Sequence, residues 1–140
     1  MDLKKMKKYI YPSIIVFIVI ILYNMVFHGT IMENFYLDNS ELFRPQDEIQ
    51  KGKHFMWLAN LIYSCAFCYI YTKGHEKEKP IIQGIRYGLW ISLLMWLPRA
   101  LINITVYPHP KSLELTLFMG YTVQSILAGI VVAFVFSKMK

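Results

Sequence analysis

Three histidines have side chains that are well suited to bind a metal ion or a proton. They are His28, His54 and His109, and Glu33 and Glu114 follow two of them within a few residues. Imidazole and carboxylate groups bind zinc or copper, and imidazole titrates near neutral pH. No two of these residues are spaced i, i+3 or i, i+4, so no local metal motif is present. The pattern favours histidines with polar tips in water, with a metal, haem or proton-sensitive cluster as the alternative.

A second candidate is the C-x-x-C pair Cys65 and Cys68, which lies in the middle of a hydrophobic segment. In that position the thiols are far from water and from any helix N-terminus that could activate them. We therefore interpret Cys68 as a packing residue, with a transmembrane soft-metal relay as the alternative. No nucleophile elbow, zinc-protease motif or phosphate-binding loop is present. The sequence predicts no enzyme activity and no cofactor.

Arg99 is the strongest single candidate for a binding residue, because charged side chains within membrane segments are rare and often functional. It directly follows Pro98 in a hydrophobic segment. Its simplest interpretation is snorkelling to the membrane surface. The alternative is an anchor for an outer-leaflet anion, a lipid headgroup or a carboxylate. We predict that it points inward, within reach of at least one of His28, Glu33, His54 and Glu114.

Four hydrophobic segments dominate the 140 residues, of which 56% are hydrophobic and 17% are charged. A membrane-spanning helix needs about 20 mostly apolar residues. The predicted spans are about 9–30, 53–72, 80–104 and 113–136. The predicted fold is therefore an all-α membrane protein: a single domain, 1–140, forming a bundle of four transmembrane helices. A long, partly helical outer loop is expected between the first two.

The lysines and arginines predict the orientation. Of the 15 basic residues, 10 are expected on one side of the membrane. They lie in the N-terminus, in the connection between spans two and three, in the C-terminus and at Arg86, near the start of span three. Cytoplasmic segments are enriched in such residues, so both termini are expected in the cytoplasm. Because the lysines cluster at helix ends and form no stripe, no nucleic-acid partner is expected.

Prolines mark the expected helix boundaries. Pro45 is predicted as a first helical position, followed by one helix of roughly 40 Å that reaches Tyr71. Pro80 is expected to begin span three, and Pro98 to bend it. Residues 108–110, Pro-His-Pro, are expected to form the turn into span four.

Small residues recur every four positions in the last two spans. The two series are Gly84, Gly88, Ser92 and Ser125, Gly129, Ala133. Such spacing allows close approach of two helix backbones. For antiparallel spans we predict that Gly84 faces Ala133, Gly88 faces Gly129 and Ser92 faces Ser125. The alternative is a dimer contact. Asn24, Asn60, Asn103 and Gln124 are expected to hydrogen-bond between helices.

Short motifs are spread over nearly the whole chain. They are His-Gly at 28–29 with Met32 and Tyr36, Phe-Arg-Pro at 43–45, Tyr-Thr-Lys-Gly-His-Glu at 71–76, Gly-Ile-Arg-Tyr-Gly at 84–88 and Pro-His-Pro at 108–110. Together they resemble a group of small uncharacterised bacterial four-span integral membrane proteins. The resemblance implies a multi-pass protein of the bacterial inner (plasma) membrane and implies no activity.

The functional hypothesis is a non-enzymatic membrane protein that binds or moves a small ligand, ion or lipid through an outward-facing polar pocket. The predicted ligand-binding residues are His28, Glu33, Arg44, His54 and Arg99. The alternatives are an accessory subunit of a larger membrane complex and an outer-face histidine metal or haem protein. The expected partners are the lipid bilayer and either a membrane protein or a second copy of the chain.

Overall fold

A computed structural model describes residues 3–74 and 79–139, with side chains described from residue 8 onward. Residues 75–76 of the 71–76 motif, and Lys77 and Lys140, two of the basic residues counted for the orientation, lie outside this part of the chain. Within it the structure is all-helical, and the described residues contain no strand.

The described residues form six α-helices and two short irregular helical turns. The α-helices are α1 (Leu3–Val26), α2 (Glu33–Asp38), α3 (Gln46–Lys51), α4 (Lys53–Lys73), α5 (Pro80–Val106) and α6 (Lys111–Lys138). A π-helical turn, Phe27–Ile31, continues α1, and a 3-10 turn, Ser40–Leu42, follows α2.

Four of the described helical segments are long and apolar enough to cross a membrane. They are Lys8–Ile31, Lys53–Lys73, Pro80–Val106 and Lys111–Lys138, and they coincide with the four predicted spans. Large apolar side chains remain exposed along them, for example Trp90 and Leu94, at 66% and 71%. Such exposure is unusual for a protein in water and suits contact with lipid tails. The chain is thus a multi-pass membrane protein by the length and composition of its helices.

The chain divides into two compact units, Met1–Tyr69 and Ile70–Lys140. In the first unit, aromatic and amide side chains of α1 contact α4. The Tyr9 and Tyr69 rings lie 6.0 Å apart, and Asn24 Nδ2 donates to Asn60 Oδ1 at 3.4 Å. This hydrogen bond confirms the prediction that the two asparagines connect helices.

The segment from Pro45 to Tyr71 differs from the prediction of one continuous helix. Pro45 is the N-cap of α3, with an extended ψ of 146°, and Gln46 is the first helical residue. Gly52 separates α3 from α4, with φ of −85° and ψ of 0°. Glycine has the lowest helix propensity after proline, which explains why the helix is interrupted there.

In the second unit, α5 and α6 pack with their backbones in close contact. A Cβ atom placed on Gly84 would lie 2.5 Å from the Ile130 Cα and 2.6 Å from the Gly129 oxygen. A Cβ on Gly129 would overlap the Gly84 oxygen and would lie 3.1 Å from the Gly88 nitrogen. The small-residue pattern therefore correctly predicted the α5–α6 contact.

The predicted register of all three pairs is wrong by about one helical turn. The backbone nearest to Gly84 is Gly129–Ile130, where Ala133 was predicted, and the backbone nearest to Gly88 is Ser125–Ile126, where Gly129 was predicted. Ser92 Oγ hydrogen-bonds to Thr122 Oγ1 at 2.5 Å, where Ser125 was predicted. Gly129 fits between Gly84 and Gly88 because neither of these two glycines has a side chain. Its position between them fixes the register of α5 on α6.

Candidate ligand-binding site

A small cleft lies between α5 and α6, toward the C-terminal end of α5 and the N-terminal half of α6. Its lining consists of Trp96, Arg99, Ala100, Glu114, Leu117, Phe118 and Tyr121. Its volume is about 170 Å³ including the space at its open mouth. Most of this volume is open solvent at the mouth, and the enclosed part of the cleft has room for about one water molecule.

The guanidinium of Arg99 lies against two aromatic rings of the cleft. Its central carbon is 5.8 Å from the ring centre of Trp96 and 5.8 Å from that of Tyr121. The two rings stack on each other at 4.4 Å with an angle of 19°. Trp96 and Arg99 come together because residues at i and i+3 lie on one face of a helix. Cation–π contact of this kind holds a charge in place without neutralising it.

The carboxylate of Glu114 is the buried acidic group of the cleft, and the residue is 4% exposed. Asn103 Nδ2, from α5, donates to Glu114 Oε2 at 3.1 Å. His109 Nδ1 lies 3.1 Å from Glu114 Oε1. The bond from Asn103 confirms that this asparagine connects helices. Glu114 also lies in the first turn of α6, where the helix dipole favours a negative charge.

Two prolines hold His109 in position. The connection between α5 and α6 spans residues 107–110, and Pro110 is the N-cap of α6, as the Pro-His-Pro motif predicted. A residue before proline is biased to extended backbone, as Tyr107 shows with ψ of 145°. The Tyr107 ring stacks on His109 at 5.4 Å. The short, restricted loop thus directs the imidazole to Glu114.

Arg99 and Glu114 share the cleft without forming an ion pair. The described residues include no carboxylate oxygen within 4.0 Å of the Arg99 guanidinium. Both groups nevertheless line the same small space. The cleft therefore presents a positive and a negative group to a common volume, each stabilised by other neighbours.

The other predicted ligand-binding residues belong to the first unit. His28 lies in the π-helical turn, and its Nδ1 is 2.6 Å from the Tyr36 hydroxyl oxygen. π-helical turns occur frequently at functional sites. The rings of His28 and Tyr36 also stack, at 6.0 Å, and Phe43 lies edge-on to Tyr36 at 5.1 Å.

Glu33, Arg44 and His54 lie at the surface of the first unit. Arg44, whose side chain is 80% exposed, precedes α3 and pairs with Glu48, four residues later, at 3.1 Å. The His54 ring contacts Phe55, its neighbour in the chain, at 4.1 Å. Glu33 is exposed in the first turn of α2. Arg44 and His54 thus have side-chain neighbours close to them in the sequence.

Sequence reasoning selected Arg99 and named Glu114 as one of its neighbours, and the two line one cleft. It missed Trp96 and Tyr121, which hold the guanidinium. The i, i+3 spacing of Trp96 and Arg99 was a usable signal. Tyr121 could not be placed without the helix register, which the small-residue pairing predicted one turn away.

The remaining candidates are the metal-ligating side chains and the two cysteines. In the ranges 3–74 and 79–139, no three His, Cys, Asp or Glu side chains lie close enough to hold a metal ion. Cys65 is exposed and Cys68 is buried, and both are free thiols. Ser64 Oγ donates to the Asn60 carbonyl at 2.7 Å, one turn before Cys68.

Comparison with protein-family models, with curated proteins and with solved structures gave no match for this chain.

Proposed function

We propose that this chain is a multi-pass membrane protein that binds the anionic group of a small ligand or lipid on Arg99, in the cleft between α5 and α6. One observation carries the proposal. A charged guanidinium within a membrane-spanning helix lies on two aromatic rings in a cleft, with no carboxylate within 4.0 Å among the described residues.

The energetics support an anionic ligand. A charge in hydrocarbon costs at least about 2.5–3.5 kcal/mol at the bilayer centre, so an arginine within a span requires water or a partner. Guanidinium has five N–H donors and no acceptor. The aromatic faces interact with the charge, and the Tyr121 side chain also hydrogen-bonds to Arg99, so the other N–H groups of the guanidinium are the donors offered to a ligand. Phosphate and carboxylate oxygens are the acceptors that match the fork geometry of arginine.

The proposal includes an orientation and a location. Both termini are cytoplasmic, since 10 of 15 basic residues are on that side, and the Arg99 cleft therefore opens near the outer surface. The resemblance to bacterial four-span proteins supports the inner membrane. A reporter active only in the cytoplasm should work when fused after Lys140 and should fail within residues 38–46. The reverse result would overturn the orientation.

The ligand proposal is tested by substituting Arg99. The parent protein, Arg99→Gln and Arg99→Lys are purified in a phosphorus-free detergent, and bound phospholipid per chain is measured by native mass spectrometry. The parent should retain lipid. Arg99→Gln should bind it about tenfold more weakly, since hydrogen bonds to charged groups contribute about 1.5–3 kcal/mol. Arg99→Lys should be intermediate, because lysine keeps the charge and loses the bidentate geometry.

The matched control is Arg44→Gln, which removes an exposed arginine from the first unit. It should retain lipid as the parent does. Equal retention by Arg99→Gln, Arg44→Gln and the parent would contradict the proposal and leave snorkelling as the role of Arg99.

A further inference from the structure

His109 and Glu114 form a pair whose net charge depends on a single proton. His109 Nδ1 lies 3.1 Å from Glu114 Oε1, and Asn103 Nδ2 donates to the other carboxylate oxygen at 3.1 Å. The carboxylate is buried, whereas the His109 side chain is 24% exposed and can exchange a proton with water. Imidazole is the side chain that ordinarily changes charge between about pH 5 and 8. The pair has a charge of minus one when the imidazole is neutral and no net charge when it is protonated.

The charge of this pair acts on Arg99, because Glu114 and Arg99 line the same cleft. The Tyr121 side chain interacts with both of them: it hydrogen-bonds to Arg99 and interacts electrostatically with Glu114. The enclosed part of the cleft has room for about one water molecule, so little solvent separates the charged groups. Charges in such a site interact more strongly than charges in bulk water.

An anion on Arg99 leaves this cluster with one uncompensated negative charge while His109 is neutral. Protonation of His109 removes that charge. We propose that the His109–Glu114 pair is a proton-binding site coupled to the anion site, so that the chain takes up a proton when it binds an anion on Arg99. This inference rests on the proposed function of Arg99. The anion binds at the open mouth of the cleft, and the charge that balances it is a proton on the pair.

Other charged or titratable groups of α5, α6 and the loop between them have to be considered as sources of pH dependence. Those near the pair are Arg99 from α5, Tyr121 from α6 and Tyr107 from the loop, whose ring stacks on His109. Lys111 is exposed at the start of α6. Guanidinium, ammonium and phenol groups titrate at about pH 10 or above in model peptides, and carboxylates at about pH 4. A change in anion binding around neutral pH therefore points to the imidazole, with the proton shared by the pair.

The first test compares the affinity for one lipid at two pH values. Phosphatidylglycerol is titrated into the full-length protein in a phosphorus-free detergent at about pH 5.5 and about pH 7.5, on either side of the imidazole range midpoint. Its phosphodiester keeps one negative charge at both values. The parent should bind it about tenfold more tightly at the lower pH, as is typical of coupled sites.

The outcomes separate this inference from the proposed function. Binding that is weakened by Arg99→Gln but is equal at the two pH values would overturn the coupling and leave the anion site intact. Binding that is indifferent to Arg99→Gln at both pH values would overturn both.

Variants locate the proton. His109→Gln removes the imidazole and keeps an N–H donor for Glu114, so it should bind lipid equally at both pH values, as weakly as the parent does at the higher one. Glu114→Gln removes the negative charge and should bind tightly at both. His54→Gln is the matched control, because His54 is an exposed histidine of the first unit, and it should keep the tenfold change. A His109→Gln protein that keeps the pH dependence would contradict the proposal.

Proton uptake is a readout that a purely structural role of His109 would not change. Coupling is reciprocal, so an anion that prefers the protonated pair also raises the affinity of the pair for protons. Phosphatidylglycerol is added to the parent and to His109→Gln in unbuffered detergent solution at about pH 6.5, with an indicator dye. The parent should take up protons as lipid binds, and His109→Gln should take up none. No uptake by the parent, or equal uptake by both proteins, would overturn the proposal.

Discussion

At the scale of single residues, the buried carboxylate of Glu114 is contacted by side chains from two different segments of the chain. Asn103 approaches from α5, and His109 approaches from the loop before α6. A carboxylate that is 4% exposed is costly to bury unless it is hydrogen-bonded. Asn103 is therefore a residue whose loss should be visible in stability, although it lines no cleft itself.

Asn103→Leu should reduce the free energy of unfolding by about 1–3 kcal/mol, because one oxygen of a buried carboxylate loses its donor. Chemical or thermal unfolding in detergent would measure the change. Thr105→Val is the matched control, since the Thr105 hydroxyl is exposed and bonds only to the Leu101 carbonyl of its own helix. If Asn103→Leu and Thr105→Val unfold alike, the Asn103–Glu114 bond does not stabilise the fold.

Residues of the site were predictable from sequence only in part. Arg99 is conspicuous because a charge inside an apolar segment is rare, and its nearness to Glu114 followed from the short turn between their helices. His28, Glu33 and His54 were grouped with Arg99 because they were expected at the same membrane depth. Depth alone does not fix the position of a side chain around a helix axis, so this grouping stays a prediction; in the structure Arg44 pairs with Glu48 and the His54 ring contacts Phe55.

At the scale of elements, the α5–α6 contact depends on three glycines. The atoms that a Cβ on Gly129 would meet are all backbone atoms of Gly84 and Gly88. Backbone cannot move aside as a flexible side chain can, so the helices would have to separate. The same contact sets the relative position of Trp96 and Tyr121, and hence the shape of the cleft.

Gly129→Ala should destabilise the protein by about 1–3 kcal/mol, as expected for overpacking of a close contact. Gly29→Ala is the matched control, because a Cβ there meets nothing within 4 Å. Melting temperatures in one detergent compare the two variants with the parent. A Gly129→Ala protein that melts with the parent would show that the backbones are not in contact.

Helix types and boundaries could be predicted from sequence because they depend on local chemistry. Pro80 begins α5, and Pro110 precedes α6, as proline does at helix starts. The register of α5 on α6 could not be predicted, because small residues every four positions fit together equally well when shifted by one turn. The interruption at Gly52 was underestimated because a single glycine is often tolerated within a helix.

At the scale of the whole molecule, four apolar helices leave few groups able to do chemistry, and the proposed function rests on one of them. The central claim is that Arg99 holds a phosphate in the α5–α6 cleft. An arginine that snorkels to the membrane surface would also approach the phosphates of a bilayer. The test therefore uses one phospholipid molecule per chain and no surrounding phospholipid.

The most direct test is a ³¹P–¹⁵N distance measured by solid-state NMR. The chain has three arginines, so Arg44→Lys with Arg86→Lys leaves Arg99 as the only labelled guanidinium. One equivalent of phosphatidylethanolamine is added in a phosphorus-free detergent. The account predicts a nitrogen–phosphorus distance of about 4 Å, since charge-assisted N–H···O bonds are about 2.8 Å long. In this experiment a nearby phosphorus dephases the ¹⁵N signal of the Arg99 guanidinium. A ¹⁵N signal that is dephased no more than in a sample without phospholipid would contradict the account.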